Sequence, residues 1–186
     1  MTPLERFYSR LENAPISDND ISLDGFLTHR VDAFALLGAA RALAEQLPAA
    51  DVLLTVESSG IAPAFAFAQA LELPFVYAKR DKTGLNGEVK QIMLGDDTVF
   101  VANDVIREDS RVLIVDDILE QGFKALALAR LAHECGARTV GVVTIIERTF
   151  DGGRNRLEME GIPVFSLVQL ARDGEKVFLE RRGLRF

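Results

Sequence analysis

Val112-Leu113-Ile114-Val115-Asp116-Asp117-Ile118-Leu119-Glu120-Gln121-Gly122-Phe123-Lys124-Ala125 is the stretch on which the fold of this chain turns. Its first four residues form a continuous apolar run, the pattern of a strand buried on both faces. Two carboxylates end that run, and a short loop then opens a helix near residues 122–135. The same rhythm recurs on either side. Upstream, Val52-Leu53-Leu54-Thr55-Val56 reads as a buried strand, Ser58-Ser59-Gly60 as a turn, 62–72 as a helix and Phe75-Val76-Tyr77-Ala78 as another strand. Downstream, Val140-Gly141-Val142-Val143-Thr144-Ile145-Ile146 is a further buried strand. Apolar strand, polar turn and helix in alternation predict an α/β fold, a central parallel sheet flanked by helices and joined by right-handed crossovers.

The remaining segments attach to that core. Leu4, Phe7, Tyr8 and Leu11 recur at helical spacing and predict a short amphipathic helix over 3–13. Residues 14–30 are irregular, with Ser17-Asp18-Asn19-Asp20 marking a turn, and 32–47 read as a helix ended by Pro48. Residues 80–110 break the rhythm. Short strands at Val89–Met93 and Thr98–Val101, separated by Gly95-Asp96-Asp97, fit a two-stranded flap that closes over a site, and equally an ordinary surface hairpin.

The chain of 186 residues is the length of one domain. A formal charge of −7 excludes broad phosphate neutralisation of a nucleic acid. No apolar stretch is long enough to span a bilayer, and the first residues lack the apolar core of a secretory signal. One cysteine, Cys135, cannot form an internal disulfide and reads as a small core hydrophobe of a reduced, cytoplasmic protein. His29 reads as a turn residue and His133 as an exposed helix residue. The basic end Arg181-Arg182-Gly183-Leu184-Arg185-Phe186 reads as a solvated tail or a subunit contact.

In an open α/β sheet, ligands gather at the carboxyl ends of the strands. That topology would bring together Glu57-Ser58-Ser59-Gly60, Lys79-Arg80 and the run from Asp116 to Lys124. A helix N-terminus offers free amides to a phosphate, and adjacent carboxylates need hydroxyls, amides or a cation beside them. A sugar phosphate satisfies both demands. The same residues also fit a plainer picture, with Asp117 solvated and Asp116 bonding turn amides.

Val115-Asp116-Asp117-Ile118-Leu119 with its loop and helix resembles the sugar-phosphate signature of type I phosphoribosyltransferases. Val56-Glu57-Ser58-Ser59-Gly60-Ile61-Ala62-Pro63-Ala64 is similar to the pyrophosphate loop of the bacterial xanthine phosphoribosyltransferases. So are Phe26-Leu27-Thr28-His29-Arg30-Val31-Asp32, Ile146-Glu147-Arg148-Thr149-Phe150-Asp151-Gly152-Gly153-Arg154 and Ser166-Leu167-Val168-Gln169-Leu170, in the same order along the chain. The resemblance implies one phosphoribosyltransferase-like domain over 1–186, with a hood from 1–31 and about 162–186, a core over about 32–161 and a flap over about 80–104. It implies transfer of a 5-phosphoribosyl group from phosphoribosyl pyrophosphate to a purine base in purine salvage, with pyrophosphate released. Magnesium would arrive on the pyrophosphate, with no protein metal site. Asp116 and Asp117 would hold the ribose hydroxyls and offset the charge of an oxocarbenium-like transition state. Ser58, Ser59, Gly60 and Lys79 would face the pyrophosphate. Glu120, Gln121, Gly122, Phe123 and Lys124 would take the 5-phosphate, and Ile21, Thr28 and Arg148 the base. A homodimer is expected on the same ground.

The chain also departs from that pattern. The phosphate loop contains a carboxylate, Glu120, and an aromatic, Phe123, where the family's loop is small and rich in hydroxyls or amides. Thr28 stands in place of an asparagine and Arg148 in place of a lysine. These differences keep two alternatives in view: a weak or inactive member that senses phosphoribosyl pyrophosphate or a nucleotide, and a transferase for adenine, guanine or hypoxanthine.

Overall fold

The structure, a computed structural model, describes residues 1–17, 20–174 and 176–181. Helix α1 (Pro3–Glu12) begins with a capping box in which Thr2 and Glu5 satisfy each other's backbone amides. Its Phe7 and Leu11 are buried against α2 (Ala33–Ala44). Asp32 caps α2 through the Ala35 amide and takes ion pairs from Arg6 at 2.7 Å and Arg10 at 3.3 Å. Burial alone would raise its carboxyl, but these partners outweigh it and hold Asp32 below its ordinary range. Between the two helices lie a small antiparallel pair, β1 (Ile16–Ser17) and β2 (Asp20–Ile21), and a π-helical turn over Asp24–Thr28.

The core follows as β3 (Val52–Val56), α3 (Ile61–Leu71), β4 (Phe75–Ala78), a hairpin of β5 (Val89–Leu94) and β6 (Asp97–Ala102), β7 (Arg111–Leu119), α4 (Phe123–Glu134) and β8 (Arg138–Arg148). Then come α5 (Gly153–Met159), β9 (Val164–Asp173) and β10 (Lys176–Arg181). Six strands form one sheet in the order β10-β9-β8-β7-β3-β4, parallel except for β10, which pairs antiparallel with β9. Side chains alternate across the sheet. Leu53, Leu113, Val115, Val143 and Ile145 pack under α1, α2 and α3. Leu54, Val56, Ile114 and Val142 pack against α4 on the other face.

Several expectations change. Strand β7 does not stop at Val115 but runs to Leu119, and Asp116 lies within it opposite Thr144 of β8. A carboxylate reads as a turn residue in sequence, yet here the ladder carries through it. Helix α2 ends at Ala44, before Pro48. Residues 89–102 are not a free excursion: Val99 and Val101 are buried in the α4-side core, and the hairpin is joined to β4 by the Lys79–Phe100 bridge. Cys135 is a half-buried C-cap of α4 instead of a core residue. His133 is exposed, and His29 is exposed 3.9 Å from Asp24. Asp18, Asn19 and the tail beyond Arg181 lie outside the described residues.

Candidate active site

Strand β7 delivers its two acids to a nearly dry place. The Asp116 and Asp117 side chains are 5% and 9% exposed, and the Lys124 ammonium, in the first turn of α4, sits 2.7 Å from Asp116 Oδ1 and 3.6 Å from Asp117 Oδ1. The Thr144 hydroxyl, buried under the pair, lies 3.0 Å from the Asp117 carbonyl oxygen. Burial pushes the Asp116 carboxyl up to about 7; Lys124 opposes that rise and the Asp117 charge adds to it. Partial burial of Lys124 would lower its affinity for its proton, but the two carboxylates outweigh this and raise it. Asp117 therefore meets a cation rather than open water, while Asp116 takes Lys124 and also accepts from the Asp117 amide at 3.1 Å, the amide bond of the plainer picture.

The next five residues form a cradle. Glu120, Gln121, Gly122, Phe123 and Lys124, with Asp116, line a cavity of about 120 Å³. Gly122 precedes α4 with φ of 81°, a left-handed conformation suited to glycine, and no side chain caps the helix. The first amides of α4 thus remain available to a ligand at the positive end of the helix dipole. Neither unusual side chain of this loop fills the cavity. The Phe123 ring is 59% exposed and lies under the Arg156 guanidinium. The Glu120 carboxylate is turned onto Arg148, 2.7 Å away.

At the neighbouring strand end, Ser58, Ser59 and Gly60 connect β3 to α3. A side chain at Gly60 would place its Cβ 2.0 Å from the buried Thr55 Oγ1, so only glycine lets the turn close on the strand. Glu57 accepts a hydrogen bond from the Arg80 amide, which ties this turn to the end of β4. Lys79 does not meet the turn in this structure; its ammonium donates to the Thr83 carbonyl.

Ile21 is buried, while Thr28 lines a cavity of about 360 Å³ together with Ile21, Asp20, Asp24 and Ile118. The Thr28 hydroxyl donates to Asp24 at 2.7 Å, leaving its lone pairs for the cavity. Arg148 does not line that cavity. Its guanidinium pairs with Glu120, lies 3.9 Å from Asp20 and has Nε 2.8 Å from Asp151, without the alignment of a hydrogen bond. It joins the cradle to the wall of the cavity.

Residues 32–168 match the family described as the phosphoribosyl transferase domain. The chain belongs to this phosphoribosyltransferase family. It is 38% identical over 174 residues to a xanthine phosphoribosyltransferase of Staphylococcus carnosus, covering 88% of this chain and 91% of that one. A xanthine phosphoribosyltransferase of Streptococcus pneumoniae is 35% identical over 179 residues, with 89% and 91% covered. Among solved structures, the adenine phosphoribosyltransferase of Rhodothermus marinus aligns with a TM-score of 0.70 at 28% identity, over 91% of this chain and 99% of that one. That of Thermoanaerobacter pseudethanolicus aligns with a TM-score of 0.67 at 27% identity, over 74% and 82%.

Three parts of this candidate site escape a reading of the sequence. Ile118 lines both the cradle and the neighbouring cavity. Asp20 lines that cavity and lies 3.9 Å from the Arg148 guanidinium. Behind the cradle lies a buried ion pair: Arg154 grips Glu147 through Nε and Nη2, both at 2.6 Å, and Ser166 and Gln169 donate to the same carboxylate. Burial would raise the Glu147 carboxyl, but the bonds from Arg154, Ser166 and Gln169 hold it below its ordinary range. The one signal for it was a Glu and an Arg flanking a double glycine, Glu147 to Arg154, which spacing alone does not pair. Among the described residues no three His, Cys, Asp or Glu side chains are grouped to hold a metal ion, and no helix is long and apolar enough to cross a membrane.

Proposed function

We propose that this chain transfers the 5-phosphoribosyl group of phosphoribosyl pyrophosphate to xanthine, giving a purine mononucleotide and pyrophosphate in purine salvage. The observation that carries the reading is the buried Asp116–Asp117 pair opening directly onto an uncapped helix, in a chain 38% identical to a xanthine phosphoribosyltransferase. In this reading the two acids accept the ribose hydroxyls, and the amides of residues 121–124 receive the 5-phosphate. As the bond to pyrophosphate lengthens, positive charge grows on the ribose, and the carboxylates offset it in a site of low dielectric. Lys124, already on the acids, leans toward the incoming phosphate without leaving the pair. Ser58, Ser59 and Gly60 hold the departing pyrophosphate through backbone amides. Lys79 joins them after releasing Thr83.

The base lies in the cavity beside Ile21, Thr28 and Ile118, where the Thr28 oxygen accepts from a ring N–H. Arg148 reaches a carbonyl edge of the base with one arm while keeping Glu120 with the other. Magnesium would arrive on the substrate. Lys124 already takes much of the charge of Asp116 and Asp117, so these acids would hold a divalent ion only in part and substrate phosphate oxygens and water would supply most of its ligands. Its contribution there is to balance charge on the pyrophosphate.

In this reading a single domain takes its hood from 1–31 and about 162–186, of which 182–186 lie outside the described residues, its core from about 32–161 and its flap from about 80–104, with the exposed run 80–88 as the closing part. The chain works in the cytoplasm, takes no nucleic acid and pairs with a second copy. Exposed Phe65 lines an apolar groove of about 610 Å³ with Val31, Leu37 and Phe75, which Thr28 and Ser58 border at the site, and exposed Phe34 lies on α2. One face therefore carries both projection and recess, as a two-fold contact requires.

The test combines protein, magnesium and phosphoribosyl pyrophosphate with xanthine, guanine, hypoxanthine or adenine. Nucleotide formed fastest with xanthine is the expected result. Turnover with adenine alone would remove the base assignment, and tight binding of phosphoribosyl pyrophosphate with no product from any base would make the chain a sensor.

A further inference from the structure

The cradle at 120–124 is held from behind by the start of α5, a segment to which the reaction assigns no part. A Cβ on Gly153 would lie 2.1 Å from the Glu120 carbonyl oxygen, and a Cβ on Gly122 would lie 3.0 Å from the Gly153 oxygen. The two backbones are therefore in contact, with no side chain between them. One turn along α5, Arg156 donates to the Gln121 carbonyl oxygen, and its guanidinium lies 4.1 Å from the centre of the Phe123 ring. The helix itself cannot slide, because Leu157 is fully buried and Arg154 is bonded to Glu147 and to the Val164 carbonyl.

A trans peptide points its N–H away from its C=O. With the Glu120 oxygen directed at Gly153 and the Gln121 oxygen directed at Arg156, the Gln121 N–H points away from Gly153 and the Gly122 N–H away from Arg156, in a loop that lines the cavity and whose Gly122 nitrogen lies beside Gly153. We infer that Arg156 is a positioning residue for the sugar-phosphate cradle, acting through the Gln121 carbonyl and the Phe123 ring to orient amides that a dianionic phosphate accepts. The same grip explains how the loop tolerates an aromatic: Phe123 is drawn outward as the platform for a guanidinium. The inference rests on the reading of 120–124 as the 5-phosphate site.

Calorimetry on the full chain separates the two claims, using ribose 5-phosphate and magnesium pyrophosphate as separate probes. Arg156→Ala weakens ribose 5-phosphate about ten-fold, the scale of one charge-assisted hydrogen bond, and leaves pyrophosphate within about two-fold. Arg156→Lys restores part of the loss, since it returns a donor without the flat surface over Phe123. In turnover, the alanine variant raises KM for phosphoribosyl pyrophosphate more than it lowers kcat. Unchanged ribose 5-phosphate binding in Arg156→Ala overturns the inference, and so does an equal loss for both probes, which would mark a general structural role. Absence of ribose 5-phosphate binding by the unmodified chain overturns the phosphate-site reading itself.

Discussion

Replacing Lys124 by Met keeps the length of the side chain and removes the charge that two buried acids share. The ammonium lies 2.7 Å from Asp116 and 3.6 Å from Asp117, with its own side chain 33% exposed and the acids below a tenth. Removing one partner of a fully buried pair costs about 3–5 kcal/mol, and the opening to solvent at Lys124 reduces this to about 2 kcal/mol. For a chain of this size that lowers Tm by about 4–8 °C. The pH dependence is more telling. Burial first, and then the Asp117 charge, hold the Asp116 carboxyl at about 7 against the pull of Lys124. Its folded value thus lies above its unfolded one. The native state keeps a proton that the unfolded chain has given up, so stability falls as pH rises from about 4 to about 7. Without Lys124 the folded value climbs further, and the decline continues to higher pH. At about pH 5 Asp116 is protonated in both proteins and the difference in Tm shrinks to less than half its value at about pH 8. Thermal melts of both proteins at these two pH values decide the matter. A loss in the variant as large at the lower pH as at the higher would refute the shared-cation account.

Asp117→Asn should lower kcat by about a hundred-fold or more while Tm stays within about 2 °C, because the carboxylate works on developing charge and not on packing; wild-type turnover would remove the acid from the mechanism. Arg154→Met should cost about 3–5 kcal/mol, or a Tm lower by roughly 10 °C, since Glu147 is left charged and buried. Glu147 is held below its ordinary range, so the stability it contributes is present near neutral pH and fades on acidification through the carboxylate range; equal melts of this variant and the parent at neutral pH would count against the pair. Gly60→Ala should raise KM for phosphoribosyl pyrophosphate about ten-fold or more by pressing on Thr55 Oγ1. Adding Thr55→Ala should recover stability beyond the sum of the single changes, and strict additivity of the two melts would show that the contact is not the cause.

The strands β3, β7 and β8 were legible because they are buried on both faces and written as apolar runs, and the half-buried edge strand β4 was legible from its short run Phe75-Val76-Tyr77-Ala78. Helix α1 showed in the spacing of Phe7, Tyr8 and Leu11. Helix α5 did not, since seven residues with Leu157 as their one large buried side chain carry no period. Strand β10 pairs along the sheet edge and mixes charged with apolar residues, so it has no run to read. At the site, Asp116, Asp117 and the loop to Lys124 were visible as a local pattern. The partners of that pattern were not. Arg148 meets Glu120, and Arg156 meets Gln121, across separations of 28 and 35 residues that only the packing of α5 and β8 brings together. Lys79 shows the reverse: its position near the turn was inferable from topology, but its rotamer, bonded to Thr83, is a choice among competing local acceptors.

The guanidinium of Arg148 serves Glu120 on one side and approaches Asp20 on the other. Mutations at these positions should therefore be epistatic. An engineer who replaced Arg148 to admit a different acceptor would also free a carboxylate beside the loop, and the new enzyme would lose its grip on the donor for a reason unrelated to the base. A useful library would vary positions 120 and 148 as one codon pair, because the landscape between acceptor preferences passes through double changes.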